Sequence, residues 1–280
     1  MFFRPDSLAE ALDVLANTNA TVLAGGTDLF PASTGSQLRG PIMDISAIAE
    51  LKGIRVTPDG VHIGGRTTWT EILAASLPRG FDGLRAAARE IGSVQIQNQA
   101  TIGGNICNAS PAADGVVALM ALDAEVHLAS RSASRTISLA AFVQGNRKTA
   151  LDPQELLTAI RIPHVWDQAA SAFSKLGARR YLVISIVMVA ANLVISPECR
   201  IERAAVCVGS CSSKALRLAE LERALVGVRA DSSMAKLMGT PSLADLSPIN
   251  DIRATAAYRR EAAETLVRRT LEQCASKVRQ

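Results

Sequence analysis

Val22-Leu-Ala-Gly-Gly-Thr-Asp-Leu29 and Ala100-Thr-Ile-Gly-Gly-Asn-Ile106 are the two stretches on which the reading of this chain turns. The first follows a short β pattern, Thr21 to Leu23. The second closely precedes Ser110-Pro111, an N-cap and N1 pair that predicts an apolar helix through Leu122. Glycine lets a backbone approach a ligand with no Cβ in the way, and successive exposed N–H groups make an anion-binding nest. A helix N-terminus adds its dipole to the same field, so a diphosphate is the natural guest. Thr27, Asp28, Thr101 and Asn105 can supply hydroxyl, carboxylate and amide partners to a sugar or phosphate. Neither stretch fits G-x-G-x-x-G, and no G-x-x-x-x-G-K-[ST] occurs, which disfavours a Rossmann or P-loop site. Two separated glycine loops clasping one dinucleotide remain open.

Upstream, Ser7 and Glu10 form a capping box before Leu8, Ala11, Leu12 and Leu15 at helical spacing, and a strand is expected over Pro41 to Ile45. After Gly53 the texture becomes short β segments. Ile54–Thr57, a Pro58-Asp59-Gly60 turn and Val61–Ile63 read as a hairpin, and Thr68 with Glu71 caps a helix. Leu84 to Ile91 reads as helix with Arg85 and Arg89 on the wet side, and strands resume at Glu125–Leu128 and Ala159–Ile162. Segment 164–172 is the expected domain boundary. Beyond it, three strands are expected at Ala172–Leu176, Ile184–Ile195 and Ile201–Gly209, then helices at Lys214–Leu225 and Tyr258–Cys274 with a loop over 239–252. Strands followed by helices indicate an α+β arrangement.

Composition narrows the function classes. Of the 280 residues, 48% are hydrophobic and 20% charged, the balance of a globular protein with a real core. A formal charge of +4, spread along the chain, argues against nucleic-acid or membrane-surface binding. Five cysteines, odd in number and widely spaced, argue against a disulfide scaffold; Cys207 and Cys211 have no matching second pair, and three scattered histidines suggest no structural metal. The N-terminus lacks the apolar run of a signal peptide, and Tyr181–Ile195 falls short of the roughly 20 residues of a spanning helix. A cytoplasmic protein is expected.

With Ala109-Ser-Pro-Ala-Ala-Asp114 added, the two glycine stretches resemble the FAD-binding signatures of the flavoprotein subunit of molybdenum hydroxylases, the xanthine dehydrogenase and CO dehydrogenase family. Pro248-Ile-Asn-Asp-Ile-Arg253 followed by Tyr258-Arg-Arg260 resembles the same subunit's C-terminal segment, so the likeness runs over nearly the whole chain in order and spacing. The resemblance implies an α+β fold of the vanillyl-alcohol-oxidase (PCMH) type. Its FAD-binding domain would cover 1–166 in lobes of about 1–53 and 54–166. A small C-terminal α+β domain with a three-stranded antiparallel sheet would cover 170–280.

The same resemblance implies roles. Leu23, Ala24, Gly25, Gly26, Thr27, Asp28, Leu29 and Phe30, with Ala100, Thr101, Ile102, Gly103, Gly104 and Asn105, would wrap the pyrophosphate and its neighbours. Asp114 would accept hydrogen bonds from ribityl or ribose hydroxyls; Leu157 and Lys175 would approach the adenine or flavin, and Ile184 the isoalloxazine. Each has a plainer alternative: Asp114 as an early-helix acid, Lys175 as a solvated strand-edge lysine, Cys107 as a small packed residue, and Arg259, Arg260, Arg268 and Arg269 as an exposed, paired helix face. With no histidine in either glycine stretch, noncovalent FAD is implied. The implied function is an electron-transfer subunit assembled with a molybdopterin-binding large subunit and a two-iron two-sulfur small subunit, as a dimer of heterotrimers, reducing NAD or another acceptor. A stand-alone flavin oxidase of a small alcohol and a flavin-storing scaffold are the competing readings.

Overall fold

In the computed structural model, residues 1–33, 39–237 and 243–277 are described, so part of the expected 239–252 loop lies outside the described residues. Among the described residues the chain folds around three larger sheets and one two-stranded ribbon. The first unit comprises β1 (Phe2–Phe3), α1 (Leu8–Asn17), β2 (Thr21–Leu23), α2 (Leu29–Ala32) and β3 (Ile42–Asp44). Ser7 caps α1 by accepting from the Glu10 N–H, and Ala11 and Leu15 bury the helix against Met43, Ile45 and Ile48. The strands pair in parallel in the order β1-β3-β2, which sends the Gly25-Gly26 turn out from the carboxyl end of β2.

The second unit opens with the expected hairpin, β4 (Ile54–Thr57) and β5 (Gly60–Gly64). Five helices follow: α3 (Trp69–Ala74), α4 (Asp82–Glu90), α5 (Val94–Gln99), α6 (Ile102–Asn108) and α7 (Asp114–Met120). Then come β6 (Glu125–Ala129), β7 (Ser134–Ser138), α8 (Leu139–Phe142), a small hairpin β8 (Val143–Gly145) and β9 (Lys148–Thr149), and β10 (Leu156–Ile162). The antiparallel sheet has the order β4-β5-β10-β6-β7. Thr68 and Glu71 form the expected capping box at α3. The helix expected from Ser110-Pro111 begins later, because Ser110 accepts from the Ala112 N–H and closes a turn; Asp114 is the first helical residue.

The third unit holds β11 (Ala170–Leu176), β12 (Val187–Ile195), β13 (Ile201–Gly209), β14 (Leu216–Arg217), α9 (Ala219–Leu225) and α10 (Ala256–Ser276). Its antiparallel sheet runs β11-β12-β13-β14, one short strand more than the three expected. The added strand takes Leu216 and Arg217 from the predicted helix: they pair with Val208 and Cys207, and Arg217 binds Glu222 and Asp123. On β12, Val187, Val189, Ala191 and Leu193 face α9 and α10, while Met188 and Ala190 join the core of the second unit. Both faces are covered, which explains an apolar run without alternation. Asn192, on the same face as Met188, accepts from the Ser171 hydroxyl at 2.6 Å, and Ser171 accepts from the Gly83 N–H at 2.9 Å; this buried chain pins the third sheet to α4. Among the described residues, no helix is long and apolar enough to cross a membrane.

Candidate functional site

A cavity of about 550 Å³ opens between the Gly25-Gly26 turn, α5, the start of α6 and β10. That volume is in the range of small-molecule and cofactor sites. Ala24, Gly25, Gly26, Thr27, Asp28, Leu29, Ala100, Thr101, Gly103, Gly104, Asn105 and Leu157 all line it, so residues more than 130 positions apart converge on one space. Three expected neighbours stand behind the wall instead. Leu23 ends β2, Ile102 is fully buried, and the Phe30 ring sits under Gly26 with 57% of the residue exposed.

The two glycine stretches do different jobs. At the first, Gly26 has φ +70°, a left-handed conformation that suits glycine, and the turn leaves its donors free. Among the described residues, nothing hydrogen-bonds the backbone N–H of Gly25, Gly26, Thr27 or Asp28. Consecutive free amides on residues that line a cavity can serve as an anion nest. The second stretch is not a loop but the first turn of α6, with Thr101 as N-cap. Its donors are already used: Ile102 N–H to Thr67 O, Gly103 N–H to Gly65 O, Gly104 N–H to the Thr101 hydroxyl and Asn105 N–H to Thr101 O. On the second stretch the expected nest is therefore absent: its amides are engaged, and it forms part of the cavity wall.

Packing explains most of the glycines in the wall. A Cβ on Gly25 would come within 1.9 Å of Gln99 O, one on Gly65 within 2.6 Å of Leu157 O, and one on Gly103 within 2.5 Å of Gly65 O. Gly104 differs. A Cβ there would meet only the Thr101 hydroxyl, at 2.9 Å, so the space it keeps clear belongs to the cavity. Free donors and a cradle left open at Gly104 fit a bound diphosphate.

Asp114 and Lys175 do not line the cavity. They form an ion pair of 2.7 Å, each side chain 7% exposed, in which Asp114 also accepts from Ser185 at 2.7 Å and Lys175 donates to Glu90 O at 3.3 Å. Burial pushes the Asp114 carboxyl up, and Lys175 and Ser185 oppose it. Lys175 is thus no solvated edge lysine. Ile184, next to Ser185, is 53% exposed. Arg259 departs from the expected exposed helix face: it is 3% exposed and donates to Ile186 O, Ser210 O and Asp251. Burial pushes the Cys107 thiol up to about 12, so this cavity residue stays a thiol at neutral pH. No group of three or more His, Cys, Asp or Glu among the described residues could hold a metal.

The lining also includes residues the sequence reading passed over: Ile91, Ile96, Asn108, Arg147, Leu151 and Leu156. Leu156 adjoins Leu157 and could have been reached by extending the β pattern upstream. Arg147 carried no comparable signal, because its hairpin is built from strands of three and two residues.

Comparison with known proteins covers both halves of the chain. Residues 1–165 match the family model of the FAD binding domain in molybdopterin dehydrogenase, and residues 172–274 match that of the CO dehydrogenase flavoprotein C-terminal domain. The glyceraldehyde dehydrogenase medium chain of Sulfolobus acidocaldarius is 32% identical over 98% of both chains. The xanthine dehydrogenase FAD-binding subunit of Escherichia coli O157:H7 is 29% identical over 97% of this chain and 94% of that one. Among solved structures, CO dehydrogenase from Oligotropha carboxidovorans superposes with a TM-score of 0.87 at 29% identity, over 98% of this chain and 97% of the other.

Proposed function

Since the chain belongs to the FAD-binding medium-subunit family of the xanthine and CO dehydrogenases, and is thereby an FAD-carrying oxidoreductase subunit of a molybdenum hydroxylase, we propose that the Gly25–Asp28 nest and the Gly104 wall hold its cofactor. The observation that carries this reading is the run of unpartnered amides at Gly25, Gly26, Thr27 and Asp28, on residues that line a cavity that Gly104 keeps open. Those amides would receive the diphosphate oxygens. Thr101 holds the α6 turn in place, and Leu157 with Leu156 supplies an apolar floor that excludes water. Bound there, FAD supplies redox chemistry that no side chain offers. Leu23, Phe30 and Ile102 would shape the cradle from behind, and the Asp114–Lys175 pair would fix α7 against β11 at its border.

The complex we propose has a molybdopterin-binding large subunit and a two-iron two-sulfur small subunit, paired as a dimer of heterotrimers, with electrons leaving to NAD or another acceptor. The division at 1–166 and 170–280 would give one unit to the cofactor and the other to assembly. Exposed Val226, Ile249, Ile252 and Tyr258 on the unit beyond residue 170 support that division of labour. A stand-alone alcohol oxidase needs a base near the flavin; the described lining of the cavity carries no histidine, tyrosine or lysine, and its one carboxylate, Asp28, belongs to the stretch proposed to hold the diphosphate. The test compares the lone chain with the reconstituted complex on xanthine-like and carbonyl substrates. The lone chain should turn over neither, with at most slow NADH-to-dye activity, and the complex should oxidise its substrate. Robust oxidation by the lone chain, free of molybdenum and iron, would establish the self-contained oxidase instead.

A further inference from the structure

Two residues that carry a formal charge line the cavity among the described residues: Asp28 beside the nest and Arg147. The diphosphate of a dinucleotide flavin brings two negative charges, so the proposed ligand and Asp28 together set three negative charges beside the one cation of the described lining. Arg147 is that cation. Among the described residues no carboxylate lies within 4 Å of its guanidinium, although many other arginines of the chain are paired, Arg135, Arg161 and Arg217 among them.

Its position is built rather than incidental. Arg147 occupies the turn between β8 and β9 with φ +57°, a conformation that non-glycine residues seldom adopt. Two contacts hold it against the end of α6: its N–H donates to Ala109 O at 3.0 Å, and its Nη1 donates to the Asn108 side-chain oxygen. Asn108 lines the same cavity. The turn therefore anchors one edge of the guanidinium and leaves the rest of a five-donor fork without a protein acid.

We propose that Arg147 is the electrostatic partner of the flavin's phosphates and the residue by which this site prefers a phosphorylated flavin to riboflavin. The inference rests on the reading of the cavity as the FAD site. A plainer role is a cation at the C-terminal end of α6, bonded to Asn108 and Ala109 for stability alone. That role would not discriminate between ligands.

The experiment uses the full chain stripped of flavin and titrated with FAD and with riboflavin, at low and at raised salt. Arg147→Gln keeps a side-chain donor for Asn108 and removes the charge; Arg147→Lys keeps the charge. Both place a Cβ residue at the same φ, so backbone strain is matched. Arg147→Gln should weaken FAD binding about tenfold, as for loss of one exposed charge-assisted hydrogen bond, and should flatten its salt dependence. Riboflavin binding should be unchanged, inorganic pyrophosphate should compete less well in that variant, and Arg147→Lys should recover most of the loss. Equal losses for FAD and riboflavin, or FAD binding by Arg147→Gln at the unaltered affinity, would overturn the assignment. Failure of the unaltered chain to bind FAD at all would instead remove the cavity reading beneath it, an outcome distinct from either.

Discussion

A methyl group on Gly103 would come within 2.5 Å of Gly65 O, whereas one on Gly104 would meet nothing closer than the Thr101 hydroxyl at 2.9 Å. Sequence shows the pair as one motif; only the packing separates a glycine required by its neighbours from one that keeps a cavity clear. Asp114 and Lys175 illustrate the converse. Each carries a likeness to flavin-contacting positions, and the fold adds that they are each other's partners in a dry place. Removing one member of a buried pair strands the other charge, which costs more than the pair contributes. Lys175→Met should lower the free energy of unfolding by about 3 kcal/mol. Asp114→Asn introduced into that variant should restore most of it, since no charge is then left unpaired. Urea midpoints of the three proteins check this; a loss below about 0.5 kcal/mol in Lys175→Met would mean that the pair is solvated.

At the scale of elements, legibility followed the strength of local patterning. The α3 capping box, the β4–β5 hairpin and β13 are where the sequence places them, because each is set by neighbours in the chain. One miss is a local competition, in which Ser110 spends its hydroxyl on a turn instead of a helix. The others arise where tertiary pairing wins: Leu216 and Arg217 leave a helical pattern to pair with β13. Arg147 was invisible for the same reason: its role depends on a hairpin meeting α6, and no periodicity announces that. His164 offers a test of one such long-range tie. Its ring bonds Thr57 O at 2.6 Å and Asp167 at 2.8 Å, joining the segment after β10 to the end of β4. The Thr57 carbonyl, then Asp167, raise its pKa above the ordinary value. A raised histidine stabilises the fold fully below about pH 6.5, and that contribution is lost as pH rises through the folded-state value. Melting temperature should therefore fall more steeply above pH 6.5 in the unaltered chain than in His164→Gln; parallel curves would show the tie to be independent of protonation.

On the scale of the whole molecule, the third sheet closes over α4 and α7 through Met188, Ala190 and the Ser171–Asn192 chain, so the unit beyond residue 170 is packed onto the cofactor unit. The cofactor class was legible because the glycine stretches and the Ser110–Asp114 segment stand in order along the chain. The division of labour between nest and wall was not, since it depends on which amides the rest of the fold has already engaged. If this division makes the FAD site, flavin retention depends on Gly104, and Gly104→Val removes it. The variant and the unaltered chain are incubated with excess FAD, desalted, and acid-precipitated, and the released flavin is identified and quantified beside each protein's melting temperature. FAD, not FMN, is expected near one equivalent from the unaltered chain and almost none from Gly104→Val, with melting of the flavin-free proteins little changed. An equal yield of FAD from Gly104→Val would contradict it and place the cofactor elsewhere.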